Sequence, residues 1–317
     1  MSQSKVLVLG AGASIAYGYP SGRQLRAEIL GISDRVAQSY GLLRRMNAQT
    51  GRSDFTDFRD AFEASMMYSI DAFLARRKEF AEIGKKCIAY ALLKHENPKL
   101  LFREQSDTDN WYQYLFNHIA SKDWEELSFN DLAIVTFNYD RSLQHFLIKA
   151  LKSAYDKTTT EVEEKIKTLK IVHVYGSLSD KWPSDLDYFP YDGEVDYQTI
   201  DIASRNLQVI PESRIDSPTL NVARKWLSDA DSICFLGFGF DPLNVERLAE
   251  GDACSLRKQR PQGRITRTVV GTCKGMTTAE ISSAYATLTG ASLVRGNGFF
   301  HDTGCTQALR ETGFLAS

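Results

Sequence analysis

The sequence predicts an α/β protein: a doubly wound, mostly parallel Rossmann-like sheet with a large helical insertion between the first and second strands. Three observations carry that expectation. Short continuous apolar runs recur along the chain, which is how strands buried on both faces of a parallel sheet read. Helix signals fall between the runs, so that strands alternate with crossovers. The first run, Val6-Leu7-Val8-Leu9, empties into Gly10-Ala11-Gly12-Ala13-Ser14, a glycine turn where backbone amides can face a phosphate.

Taken in order, the strand candidates are Lys5–Leu9, Leu132–Thr136, Lys170–Val174, Ser232–Leu236, Thr266–Gly271 and Ser292–Arg295. After the glycine turn, Ser21-Gly22-Arg23-Gln24 has the Ser-x-x-Gln form of a capping box, and Gly31 stands where that helix should stop. About a hundred residues then show helical periodicity and almost no strand signal, from Ser33 through Phe73, Leu92, Trp111 and Trp124. That is too long for a simple crossover. It reads as a helical insertion, about residues 33–130 of a single domain spanning 1–317, walling one side of the cleft and open to partners. Its basic groups, Arg44-Arg45, Arg76-Arg77-Lys78 and Lys85-Lys86, read most simply as solvated faces.

Further helices are expected near Arg141, from Ser217-Pro218 with Leu220, Ala223 and Leu227 on one face, and from Thr277 to Leu288. Two loops stand out. Trp182 to Tyr197 reads as a lid or an ordinary surface loop, and Arg257, Lys258, Arg260, Arg264 and Arg267 as a docking patch or the same.

Composition narrows the function. A chain of 317 residues with 43% hydrophobic content can bury a full core. A formal net charge of -2 gives no general attraction to nucleic acid or an anionic membrane, so neither is expected as a partner. No apolar run approaches the roughly 20 residues needed to span a bilayer, and the first strand is too short for a signal h-region. The protein is therefore expected in the cytoplasm. Cys87, Cys234, Cys254, Cys273 and Cys305 are scattered, with no C-x-x-C pair, so no metal is expected; Cys234, inside an apolar run, reads as a small core residue.

Ligands of a doubly wound sheet bind beyond the carboxyl ends of its strands. Those ends carry Gly10 to Ser14, Asn138 and Asp140, Tyr175 to Ser177, Gly237 to Phe240, Gly271-Thr272 and Gly296-Asn297. Gly10 and Gly12 match the dinucleotide fingerprint G-x-G-x-x-G, but Ile15 takes its third position and no acidic residue ends a second strand some 20 residues on, which disfavours a common dehydrogenase. No G-x-x-x-x-G-K-[ST] occurs, which disfavours a P-loop kinase.

Four blocks in register resemble a sirtuin-like Rossmann domain of the prokaryotic type found in NAD-depleting antiviral defence systems. They are Gly10 to Ser14 with Gly18-Tyr19-Pro20-Ser21-Gly22, Thr136-Phe137-Asn138-Tyr139-Asp140, Val174-Tyr175-Gly176-Ser177-Leu178 and Gly237-Phe238-Gly239-Phe240-Asp241. The resemblance implies NAD as ligand and cleavage of its nicotinamide–ribose bond. Deacylating sirtuins carry a four-cysteine zinc module, which this chain lacks.

The family's asparagine falls on Asn138, whose uncharged amide suits orienting a water or a ribose hydroxyl at a carbon passing through an oxocarbenium-like state. Asp140 is expected either to hold the loop or accept from a ribose hydroxyl, or to cap the following helix as an Asx turn. The family's histidine is replaced by Tyr175. His173, two residues earlier, would share a face with it on a continuing strand. Reference pKa values near 6.5 and 10 make His the easier general base by roughly 5 kcal/mol, so His173 ranks above Tyr175 as a catalytic candidate.

Ligand contacts are expected from Gly10, Ala11, Gly12, Ser14, Pro20, Asp140, Gly176, Ser177, Gly237, Phe238, Gly239, Thr272 and Asn297, with Asn244 a further candidate. The resulting expectation is an NAD glycohydrolase releasing nicotinamide and ADP-ribose, the toxic effector of an antiviral defence system, restrained by a regulatory or sensor protein encoded nearby or by homo-oligomerisation. The alternative is a catalytically silent module that binds NAD or ADP-ribose as a regulatory or scaffold subunit.

Overall fold

The computed structural model describes residues 3–43, 51–103, 109–209, 217–249, 267–291, 293–294 and 298–316. Its strands are β1 (Lys5–Leu9), β2 (Leu132–Thr136), β3 (Lys170–His173), β4 (Ser232–Leu236), β5 (Thr268–Thr272) and β6 (Gly298–His301). They form one sheet of order β3-β2-β1-β4-β5-β6. Every pairing is parallel. This is the doubly wound order, with its direction of winding reversing beside β1. The central strands are apolar in their middles because both faces are covered: Leu7 and Val8 on β1, Ile134 and Val135 on β2 and Cys234 and Phe235 on β4 are fully buried.

Register brings the carboxyl ends level. Leu9 pairs with Thr136 on one side and Leu236 on the other, and Thr136 pairs with His173. The turns after β1, β2 and β4 therefore emerge at one edge.

Between β1 and β2 the described chain is helical: a 3₁₀ segment (Ala11–Tyr17), α1 (Gly22–Leu30), α2 (Asp34–Ser39), α3 (Asp54–Ala64), α4 (Ile70–Arg76), α5 (Ala81–Leu93), α6 (Pro98–Leu101) and α7 (Trp111–Ile119). The Ser21–Gln24 capping box forms, and Gly31 is the C-cap of α1. Phe55, Phe58, Phe62, Phe73 and Phe80 bury their rings together as a core of this segment's own. The segment is also fastened to the sheet. Trp111 Nε1 donates to Ala13 O at 2.8 Å, and the Tyr17 and Tyr112 rings stack at 3.7 Å.

The remaining helices are α8 (Ser142–Tyr155), α9 (Thr159–Ile166), α10 (Tyr197–Asn206), α11 (Pro218–Asp229), α12 (Pro242–Ala249), α13 (Thr278–Gly290) and α14 (Cys305–Thr312). No described helix is long and apolar enough to cross a membrane.

Four expectations are corrected. The last described strand is Gly298–His301, and Leu293 and Val294 of the expected one are not in a strand, because their amides turn back to Leu288 O and finish α13; Ser292 and Arg295 lie outside the described residues. Strand β5 runs through Thr272, one residue beyond the expected Gly271, and Thr266 lies outside the described residues. Lys85 and Lys86 do not form a solvated face: Lys85 donates to Leu207 O at 3.0 Å and Lys86 lies 3.1 Å from Asp201, tying α5 to α10. Arg267 is buried, donating to Ala230 O and Ser228 O, and so is no docking residue. Arg44, Arg45, Cys254, Arg257, Lys258, Arg260 and Arg264 lie outside the described residues.

Candidate functional site

The turns after β1 and β4 interlock, and that interlock explains their glycines. Gly10 N–H donates to Leu236 O at 3.0 Å and Gly12 N–H to Gly237 O at 2.9 Å. Gly237 sits at φ 56°, and a Cβ there would lie 2.0 Å from the Ala13 nitrogen; one on Gly12 would lie 2.7 Å from Gly237 Cα. Neither contact can be relieved without moving backbone. Two of the turn amides expected to face a phosphate are thus spent on β4 and its turn. What the turn offers a ligand is bare glycine backbone and Ala11. Thr272 completes the interlock, its Oγ1 accepting from Gly237 N–H at 2.8 Å. It lines a separate crevice near Cys273 and Gly304 rather than the cleft described next.

At the switch point lies a cavity of about 380 Å³, within the range of small-molecule sites. Of the sequence-expected residues it brings together Gly10, Ala11, Gly12, Ser14, Pro20, Asn138, Asp140, Tyr175, Gly237, Phe238 and Gly239, with Asn244 beside them. Asn138 is half-buried and held by its amide: Nδ2 donates to Gly10 O at 2.9 Å and to Ser14 Oγ at 3.0 Å. With both protons committed, Oδ1 is what the side chain offers the cavity. Ser14 Oγ in turn donates to Asp140 Oδ2 at 2.8 Å, while Asp140 Oδ1 accepts Ser142 N–H at 3.2 Å and the Ser142 hydroxyl. Asp140 therefore holds the turn after β1 with one oxygen and forms an Asx turn at the helix start with the other. Phe238 packs edge-on to Phe137, with ring centres 5.1 Å apart.

The floor is more polar than the motifs suggest. Tyr175 is almost fully buried; its hydroxyl donates to Asn244 Oδ1 and accepts from Arg247 Nη1 at 2.5 Å. Burial, reinforced by the negative charge of Asp71, pushes the phenol well above its ordinary range, so Tyr175 is no base at neutral pH. Tyr139 donates its hydroxyl to Asp71 Oδ1. Burial raises the Asp71 carboxyl above its usual value, against the opposing pull of the Tyr139 hydrogen bond and the Arg247 charge. Asp71 comes from α4, and Leu25 and Leu92 come from α1 and α5, so the helical segment does wall this cleft.

His173, Gly176 and Ser177 are placed elsewhere, in a second cavity of about 460 Å³ beside α8. The expected common face of His173 and Tyr175 is not realised because β3 ends at His173 and the chain turns through Gly176 at φ 74°. A Cβ at Gly176 would lie 2.0 Å from Asn206 O. His173 Nδ1 lies 2.9 Å from Asn138 O and Nε2 2.6 Å from Gln144 Nε2. A carbonyl can only accept, so Nδ1 carries the proton and the ring is neutral with Nε2 accepting from Gln144. Burial lowers its pKa further. Ser177 Oγ bonds within its own turn, to Ser179 O at 2.5 Å.

The Trp182–Tyr197 loop covers this second cavity rather than the first, through Trp182, Tyr188 and Tyr191. It is pinned from below by Arg141, which donates to Phe189 O and Pro190 O and forms a two-pronged pair with Glu96 at 2.7 and 2.8 Å. His145 stacks on Tyr191, and its Nε2 has no partner. Burial, with Lys149 and Arg141 nearby, lowers its pKa to about 4.

Sequence reasoning missed Asp71, Tyr139 as its partner, and Arg247. Only Ser69, the α4 N-cap, marks Asp71 locally, and it marks a helix start and nothing more. Asn297 lies outside the described residues. Among the described residues no cluster of three or more His, Cys, Asp or Glu side chains is arranged to hold a metal ion.

No protein-family model matches the chain, and no curated protein does either. Among solved structures it is similar to a serine-to-alanine mutant of a Sir2 homologue in complex with ADP-ribose, at 15% identity and a TM-score of 0.39, over 99% of this chain and 92% of that one. It is similar also to a Sir2 homologue in complex with NAD, at 14% identity and a TM-score of 0.38, over 99% of this chain and 89% of that one. The doubly wound assignment comes from the sheet order itself.

Proposed function

We propose that the protein is an NAD glycohydrolase, cleaving the nicotinamide–ribose bond to give nicotinamide and ADP-ribose, with the switch-point cavity as its active site. One observation carries this reading: the Asn138 side chain is fixed through Gly10 O and Ser14 Oγ so that its amide oxygen is presented to a cavity at the carboxyl edge of the sheet. A fixed neutral acceptor there suits a ribose hydroxyl or an attacking water, and its dipole favours a developing oxocarbenium without the full charge that would compete for a cation. The pyrophosphate would lie against the bare backbone of Gly10, Ala11 and Gly12, beside Ser14, whose hydroxyl proton stays on Asp140. Gly237, Phe238 and Gly239, on the β4 side, would take the adenosine half.

The motif resemblance extends the proposal to a cytoplasmic antiviral effector whose activity is restrained by a separate sensor protein or by self-association. Nicotinamide release from NAD by the purified protein, alone and with the product of the neighbouring gene, tests it. Asn138→Ala should fold normally and lose nearly all turnover. Full activity in that variant would place the site elsewhere.

A second reading, a silent NAD or ADP-ribose binding module, is favoured by Tyr175, whose hydroxyl is consumed by Asn244 and Arg247 where the resemblance puts a histidine. Tight ADP-ribose binding with no nicotinamide release under any condition would establish it.

A further inference from the structure

Position 175 of this cavity, where the resemblance would put a histidine, holds Tyr175, which burial keeps protonated and so unable to accept a proton. Three carboxylates line the same space: Asp71, Asp140 and Asp241. Asp140 is committed on both oxygens, to Ser14 and to Ser142. Asp241 is exposed and caps the start of α12, accepting from Leu243 N–H at 3.0 Å. Asp71 is different. It arrives from α4 on the helical segment, one oxygen accepts the Tyr139 hydroxyl, and it stands close enough to Tyr175 for its charge to raise that phenol. An ionised carboxylate has lone pairs for about four hydrogen bonds, so the Tyr139 hydroxyl and the backbone N–H of Asp71 itself leave room for water.

We propose that Asp71 is the general base of the switch-point cavity, taking the place that a histidine on the strand-end loop would hold. The inference rests on the hydrolase reading. In the step it serves, the C1′–nitrogen bond of NAD breaks with its electron pair passing to the nicotinamide ring, which leaves neutral. A water oxygen bonds to C1′, and the proton of that water passes to Asp71 and then to solvent, giving nicotinamide, ADP-ribose and one proton. The groups facing Asp71 set its readiness. Tyr139 and Arg247 favour the carboxylate, while burial and Asp241 favour the acid, and burial prevails. A carboxyl moved upward is better matched to accepting a proton near neutrality.

The experiment follows kcat and kcat/KM for nicotinamide release against pH in the full chain, with ADP-ribose binding by calorimetry as the control for an intact site. Wild type should lose kcat/KM on the acid side as Asp71 protonates. Asp71→Asn should lower kcat by about 10²–10⁴-fold while ADP-ribose still binds. Tyr139→Phe keeps the ring but removes the donor that favours the ionised form, so the acid limb should move to higher pH. That shift is one a purely structural role would not produce, and it decides the matter should Asp71→Asn fail to fold. An Asp71→Asn enzyme with wild-type kcat, or a Tyr139→Phe limb that stays in place, overturns the assignment of Asp71 and leaves the hydrolase reading standing. A wild-type protein that releases no nicotinamide under any condition overturns both.

Discussion

Ser14 Oγ donates a 2.8 Å hydrogen bond to Asp140 Oδ2, joining the turn after β1 to the loop after β2. The same oxygen receives Asn138 Nδ2, so this hydroxyl and Gly10 O together set the direction in which the asparagine presents its carbonyl. Ser14→Ala removes both bonds and leaves a buried carboxylate oxygen without its donor, at a cost of about 1–3 kcal/mol. Turnover should fall by more than that loss of folded protein explains, because Asn138 loses its fixed orientation. Urea titration and nicotinamide release on the same preparation separate the two effects.

Gly237→Ala is expected to be among the most damaging small substitutions in the chain. Its φ of 56° disfavours a side chain, and the added carbon would meet the Ala13 nitrogen at 2.0 Å. A loss of more than about 3 kcal/mol, seen as a lower melting temperature or as failure to express in soluble form, is the expected result.

The Glu96–Arg141 pair is nearly sealed from water, with side-chain exposures of 1% and 6%. Glu96→Gln leaves the guanidinium charge uncompensated and should cost about 3–5 kcal/mol by denaturant titration. The double substitution Glu96→Met, Arg141→Met should recover part of that loss, although it frees the Phe189–Pro190 carbonyls that Arg141 now holds.

His145 supplies a pH dependence with a definite sign. Its folded pKa of about 4 lies below the ordinary 6.5, so between these values the unfolded chain binds more protons. The stability this buried neutral ring contributes is complete above pH 6.5 and is lost progressively as pH falls toward 4. His145→Phe keeps the stacking on Tyr191 and should lose less stability than wild type between pH 7 and pH 5, compared by melting temperature at the two pH values.

Strands and helix starts were legible because their signals are local. Val6 to Leu9 and Ile233 to Leu236 are apolar for the length of a buried strand, and Ser21 with Gln24 needs only four residues to form its box. The glycine turn and Asn138 were legible as a pair because each ends such a strand. His173 misled because periodicity assumes that the strand continues, and Gly176 ends that assumption within three residues. Asp71 was invisible for a different reason: it reaches the cavity only through the packing of α4 on a phenylalanine core, a relation between distant parts of the chain that no window of sequence contains.

The indole of Trp111 and the stacked phenols of Tyr17 and Tyr112 act as a strut between α7 and the 3₁₀ segment that follows the glycine turn. A turn braced in this way depends for its support on a stretch of chain some hundred residues downstream as well as on β4. A shortened protein with the helices between β1 and β2 excised would keep a sheet and lose the means of shaping the mouth of its cleft.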